Sequence, residues 1–282
     1  GKGPSVIDMN THLPEGTTDF KVGSDHYHRY KEDIALMAEL GLKAYRFSIA
    51  WTRIYPNGTG KINKKGIEFY NNLINELLDK GIEPIVTMYH FDLPYALQEK
   101  GGWSNRDTID AFERYAKTLF EHYGDRVRCW LTINEQNMMI LHGEAIGIVD
   151  RNLENPKKEL YQQNHHMMLA QAKAMHLCHE MYPNAKIGPA PNISIVYPAT
   201  SKPEDILAAQ NCSAVRNWMY LDMACYGRYN SIAWSYLVKN GYEPEIEDRD
   251  MEVLKKAKPD FIAFNYYSSL TVEESKNDGS DV

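Results

Sequence analysis

The chain has 282 residues, 43% of them hydrophobic and 24% charged, with a formal net charge of −7. This is the composition of an ordinary globular domain with a core that needs no staples, and the acidic balance excludes a nucleic-acid surface, which needs a basic field to draw phosphates. No apolar run reaches the roughly 20 residues of a membrane span, and Cys129, Cys178, Cys212 and Cys225 form no CxxC pair, so free thiols, a cytoplasmic location and no cofactor are expected.

The opening Gly1-Lys2-Gly3-Pro4 has no secretory character and reads as mid-protein sequence. Residues 30–40 place Ile34, Met37, Ala38 and Leu40 on one helical face and stop at Gly41. Residues 44–51 (AYRFSIAW) then read as a buried strand. The basic run at 61–65 is diluted by its neighbours and reads as solvated surface. A second helix over 67–78, ending near Gly81, leads to a strand over 83–90 (EPIVTMYH). A third over 108–123, ending at Gly124, leads to 128–135 (RCWLTINE). A fourth over 164–181, just before Pro183, leads to 186–193 (KIGPAPNI), and 260–267 (DFIAFNYY) is read as a fifth strand.

Strand, helix and glycine in rotation describe βαβ units and a parallel sheet. No strand is followed by the Gly-rich turn of a nucleotide-binding open sheet. Each ends instead in polar residues: Trp51 then Arg53, His90, Asn134 and Glu135, Asn192, and Asn265 with Tyr267. Chemistry at the carboxyl ends of successive parallel strands marks, within the α/β class, a (β/α)8 TIM barrel. Five strands do not close such a barrel, so either residues 1–282 form a single partial barrel domain or the fold is something smaller.

Glu135 ends a buried strand, where a partly desolvated carboxylic acid is suited to protonate a leaving oxygen. The Asn134 amide beside it can hold a sugar hydroxyl. His90 precedes a turn containing Asp92 and Pro94; local sequence leaves His90 open between donor and structural residue, and favours a turn role for Asp92. Arg46 shares a strand face with Ser48 and Ala50, and a buried arginine there is expected to face a carboxylate, catalytic or structural. Asn192 ends the fourth strand and is read as substrate-binding. The 19 Tyr and 5 Trp suit either sugar stacking or plain packing, and composition favours packing.

In series, Asp25 to Asp33 (DHYHRYKED), Tyr45 to Trp51 (YRFSIAW), His90 to Pro94 (HFDLP), Thr132-Ile133-Asn134-Glu135 and Phe264-Asn265-Tyr266-Tyr267 closely resemble glycoside hydrolase family 1, the β-glucosidase and 6-phospho-β-glucosidase family. The resemblance covers essentially the whole chain. It implies a (β/α)8 barrel and hydrolysis with retained anomeric configuration. It assigns acid/base catalysis to Glu135 and glycone hydrogen bonding to His90 and Asn134. Arg46 and Tyr267 match residues that flank and orient the nucleophile, and Asn265 matches a residue of the same shell. Residues 188–192, 196–199 and 202–205 look more like the phospho-glucosidase branch, so a β-linked glucoside or phosphoglucoside is the expected partner.

Four features of the family are missing from these residues: a first strand bearing a glycone-binding Gln, the nucleophile strand Thr-Glu-Asn-Gly, the later Trp-rich segment, and the phosphate-binding loop of the phospho branch. Glu273 and Glu274 follow Tyr267 too soon to be the nucleophile. The sequence is thus expected to hold about strands 2 to 6 of the barrel, and the chain alone to be inactive. Two rivals stand beside this reading. One is a non-catalytic sugar-binding or structural fragment. The other is a metal-dependent barrel hydrolase using His165, His166, His176 and His179 near Cys178; the Met-rich surroundings favour packing there, and no metal is expected.

Overall fold

The computed structural model describes residues 1–9, 15–19, 22–143 and 152–275. Helix α1 (His26–Glu39) passes through Gly41 to strand β1 (Ala44–Ser48), and α2 (Lys64–Asp79) passes through Gly81 to β2 (Glu83–Tyr89). Both glycines are left-handed, φ 77° and 69°, so the chain turns off each helix where a side chain would be strained. Helix α3 (Asp107–Tyr123) leads to β3 (Cys129–Asn134). A short α4 (Gln136–Leu141) follows, and the long α5 (Pro156–Met181) leads to β4 (Lys186–Ala190). Asn155 caps α5, its side-chain oxygen accepting from Lys158 N at 3.0 Å, with proline at the first position. That cap starts the helix well before residue 164.

The four strands form one parallel sheet in the order β1-β2-β3-β4. Ala44 lies opposite Glu83, Ile85 opposite Cys129, and Cys129 opposite Lys186. Every new strand joins the same edge, so strand order never reverses, and the switch point at which open sheets bind nucleotides does not arise. A sheet that grows one way is an arc of β/α units, with all its strand ends on one rim.

Residues 260–267 do not form the regular fifth strand that the sequence suggests. They run beside β4: Asp260 N donates to Ile187 O (2.9 Å), Ala263 N to Pro189 O (3.1 Å), Asn265 N to Pro191 O (3.0 Å), and Ile193 N to Asn265 O (2.8 Å). The carbonyls on that side belong partly to Pro189 and Pro191, which have no N–H to return, so half the ladder cannot form. At Gly188 the two backbones close in: a Cβ there would stand 2.1 Å from the Phe261 carbonyl oxygen. The other strands are also shorter than their apolar runs. Trp51, His90, Glu135 and Asn192 all lie past them: Trp51 opens a short helical turn, His90 and Glu135 sit in a bend and a turn, and Asn192 forms an isolated parallel bridge with Asn265.

The sequence does not announce the second sheet, in which β5 (Val196–Pro198) pairs in parallel with β6 (Leu270–Val272). Nor does it announce α6 (Pro203–Ser213), a π-helical turn (Ala214–Trp218), α7 (Met219–Tyr226), α8 (Ser231–Asn240) and α9 (Asp250–Lys256).

An aromatic core fixes the rim. Trp51 stacks on Tyr115 with centroids 5.1 Å apart, and the Tyr115 hydroxyl is shared between the carbonyls of Ile49 (2.8 Å) and Met88 (2.9 Å). One buried phenol on α3 thereby ties the ends of β1 and β2. Trp51, Trp103 and Trp130 are all buried, so packing is their role. The histidines of α5 are also structural. His165 donates to Asp250 (3.0 Å) and meets the Tyr229 hydroxyl (2.9 Å), and Arg106 caps the same carboxylate. His166 donates to the Trp103 carbonyl (2.8 Å), while His176 and His179 face Glu180 and Asp260. Among the described residues no group of three or more His, Cys, Asp or Glu could hold a metal ion, and no helix is long and apolar enough to cross a membrane.

Candidate active site

Glu135 sits at the junction of β3 and α4 with φ 46° and ψ 49°. A left-handed residue with a side chain costs about 1–3 kcal/mol and survives only where its surroundings dictate it. Here Glu135 N donates to Ala190 O (2.7 Å) and its carbonyl accepts from Met138 N (2.9 Å), so β3 ends and α4 begins on this residue. The residue is 9% exposed. Its Oε1 accepts from the amides of Asn192 (3.0 Å) and Asn265 (2.8 Å), on the two neighbouring segments.

Arg46 orders the rest. Its Nε donates to Thr87 Oγ1 (2.9 Å), one Nη to Asn265 Oδ1 (3.2 Å) and the other to Asn134 Oδ1 (2.6 Å). A guanidinium only donates, so both amide oxygens must face it. The Asn265 NH2 is then free for Asn134 Oδ1 (3.0 Å) and Glu135, and the Asn134 NH2 for His90 Nε2 (3.2 Å). His90 must accept there, which places its proton on Nδ1. Burial, then the Arg46 charge, hold the imidazole below its usual range, with Glu135 opposing. Among the described residues, the Arg46 hydrogen bonds go to a hydroxyl and two amide oxygens, and the Glu135 carboxylate acts on Arg46 through space. Burial lowers the Arg46 pKa more than the charges of Glu135 and Tyr267 raise it.

Six of the seven residues singled out from sequence, Arg46, His90, Asn134, Glu135, Asn192 and Asn265, therefore form one connected set. Tyr267 does not join the hydrogen-bonded set; it is 78% exposed and near enough to Arg46 to interact electrostatically. Asp92 takes the turn role: its Oδ1 accepts from His90 N (3.2 Å), and burial raises its pKa to about 6. Glu274 is elsewhere, its backbone N donating to Asp205 (3.0 Å). All four cysteines are free, and burial raises every thiol above its ordinary range, which makes none of them a ready nucleophile.

Two residues behind the set escaped the sequence reading. Asn137 lies two positions after Glu135, in the first turn of α4, and brackets the backbone of Asn192. Arg216, on the π-helical turn, reaches Asn192 and Ser194. The spacing to Glu135 could have flagged Asn137; nothing in the local sequence marks Arg216.

A parallel arc with a carboxylate, an imidazole, a guanidinium and three amides massed at its strand ends is the working rim of a (β/α)-barrel protein. The family model for glycosyl hydrolase family 1 matches residues 1–282, and the chain belongs to that family. It is 47% identical to aryl-phospho-β-D-glucosidase BglC of Bacillus subtilis, over 99% of this chain and 59% of the relative. It is 44% identical to β-glucosidase A of Acetivibrio thermocellus, over 95% of this chain and 60% of the relative. Among solved structures, a family 1 β-glucosidase from Thermotoga maritima superposes with a TM-score of 0.87 at 39% identity, covering 97% of this chain and 61% of that one. A Thermotoga maritima β-glucosidase in complex with glucoimidazole gives the same TM-score and identity. The chain thus spans about three-fifths of the length of these relatives.

Proposed function

We propose that the whole protein carrying these residues is a retaining β-glucosidase of the 6-phospho branch, built on a (β/α)8 barrel of which residues 1–282 supply about strands 2 to 6 as one partial domain. The carrying observation is the placement of Glu135 at the rim with both amide donors on Oε1. With Oε1 so occupied, an acidic proton resides on Oε2. That oxygen protonates the leaving aglycone and then takes a proton from the incoming water. The Nδ1–H of His90 and the rim face of Asn134 hold glycone hydroxyls, with Asn192 beside the acid. Arg46, Asn265 and Tyr267 orient the second carboxylate. In a retaining enzyme that carboxylate stands about 5–5.5 Å from the first and attacks the anomeric carbon. Among the described residues, Glu135 is the carboxylate whose charge acts on both Arg46 and His90, so the nucleophile is assigned to another part of the whole protein.

The phospho branch is supported by the relationship to BglC and by 41% identity to a 6-phospho-β-glucosidase of Dickeya chrysanthemi. Rates on 4-nitrophenyl β-glucoside and on its 6-phosphate decide that point: a preference for the plain glucoside overturns it. For the acid role, Glu135→Gln is expected to slow phenyl β-glucosides by about 10²–10⁴-fold, the worth of a general acid, and dinitrophenyl β-glucosides far less in the glycosylation step. Equal loss of kcat/KM on both removes Glu135 from the role.

A further inference from the structure

We propose that Arg216 is a positioning residue that fixes which end of the Asn192 amide meets Glu135. The inference rests on the acid/base reading of Glu135. A primary amide presents an oxygen on one side and an NH2 on the other, with nearly the same shape, so nothing in its packing alone selects the orientation. The selection has to come from a neighbour that can only donate or only accept.

Arg216 is such a neighbour. Its Nη2 donates to Asn192 Oδ1 (3.3 Å) and to Ser194 Oγ (2.9 Å). With the oxygen claimed, the Asn192 NH2 is left to donate to Glu135 Oε1 (3.0 Å). Flipping the amide would set NH2 against guanidinium on one side and oxygen against carboxylate on the other. Two hydrogen bonds would be lost and two like contacts made, in a place with little water to relieve them.

The segment that carries Asn192 is clamped from the same direction. Asn137, 0% exposed, accepts from Asn192 N (3.0 Å) and donates to Asn192 O (2.6 Å) and to Arg216 O (3.0 Å). Asn217, next to Arg216, accepts from Ser194 N (3.3 Å) and donates to Ser194 O (2.8 Å). With its backbone held, the one freedom left to Asn192 is its side-chain rotation, and Arg216 removes it. Arg216 and Asn217 both lie on a π-helical turn, a local irregularity that recurs at functional sites, while Asn137 holds the same segment from α4.

Without Arg216 the amide samples both orientations. In the flipped one Glu135 loses a donor on Oε1, and its proton is no longer confined to the oxygen that faces the leaving group. The loss therefore falls on the step that needs proton donation.

The test is kcat/KM of the whole protein on phenyl and 2,4-dinitrophenyl β-glucosides, or their 6-phosphates where those are the better substrates. Arg216→Met is expected to slow the phenyl substrate by about tenfold, the scale of a small misplacement, and the dinitrophenyl substrate much less. Arg216→Lys, which keeps a donor, is expected to recover most of the loss. Ser194→Ala removes one anchor of the guanidinium and is expected to give the same signature at smaller size, so the test survives if Arg216→Met does not fold. Equal fractional loss on both substrates in these variants overturns the inference. Glu135→Gln measured alongside separates the two ideas. If it discriminates between the substrates and the folded Arg216 and Ser194 variants do not, the positioning inference alone fails. If Glu135→Gln itself fails to discriminate, the acid/base reading falls and takes the inference with it.

Discussion

The rim is ordered by residues that can play only one part in a hydrogen bond. Arg46 sets the amides of Asn134 and Asn265, and through Asn134 the tautomer of His90. A charge this consequential, half-buried and, among the described residues, hydrogen-bonded to neutral oxygens, is left available to an incoming anion. Asp92 shows the opposite economy, a carboxyl whose ionised form is disfavoured by burial, with its pKa raised from 3.8 to about 6. Between those two values the folded state keeps a proton that the unfolded chain has lost. Stability from this group is therefore present at low pH and falls as pH rises through the window. Asp92→Asn removes the titration, so its stability relative to the parent is expected to improve from pH 4 to pH 6.5, by about 1–2 kcal/mol after allowance for the residue's remaining solvent access. Urea unfolding at the two pH values checks this; a constant difference between variant and parent would show that Asp92 titrates normally.

At the scale of elements, the close approach of β4 and residues 260–265 sets Asn265 against Glu135. Gly188→Ala would put a methyl 2.1 Å from the Phe261 carbonyl oxygen. Backbone cannot give way as a flexible side chain would, so a cost of about 1–3 kcal/mol is expected, together with faster amide exchange at Ala263 and Asn265. Unchanged protection of those two amides would mean that the segments separate without strain. This junction also explains what the sequence reading reached and what it missed. The first four strands are legible because strand-like runs alternate with helices stopped by glycine or, before the fourth, by Pro183. The fifth run is apolar enough for a strand, but its neighbour offers Pro189 and Pro191 where donors are needed. Those prolines were visible in KIGPAPNI, and their alternate spacing was the missed signal. The catalytic candidates were legible because they sit at strand ends. Arg216 was not, since its partner Asn192 is 24 residues away across a helical region with no repeating frame.

At the scale of the whole molecule, chemistry and architecture point the same way. Among the described residues, the free edges of the arc are β1 and the half-laddered 260–267 segment. Large apolar side chains lie open on both flanks: Leu36 on α1 and Leu40 just past its end, and Phe264, Tyr266 and Tyr267 opposite. Such edges and patches invite pairing with further strands. The site has the same one-sidedness: among the described residues Glu135 is the one carboxylate acting on both Arg46 and His90. Retention of configuration needs a second carboxylate to form and break a bond to the anomeric carbon; an acid alone leaves the departing sugar cation without a covalent partner. The 282-residue chain, purified and mixed with 2,4-dinitrophenyl β-glucoside, is therefore expected to release no more dinitrophenol than the same chain carrying Glu135→Gln. Release well above that background, abolished by the substitution, would place a working nucleophile within these residues and overturn its assignment to another part of the protein.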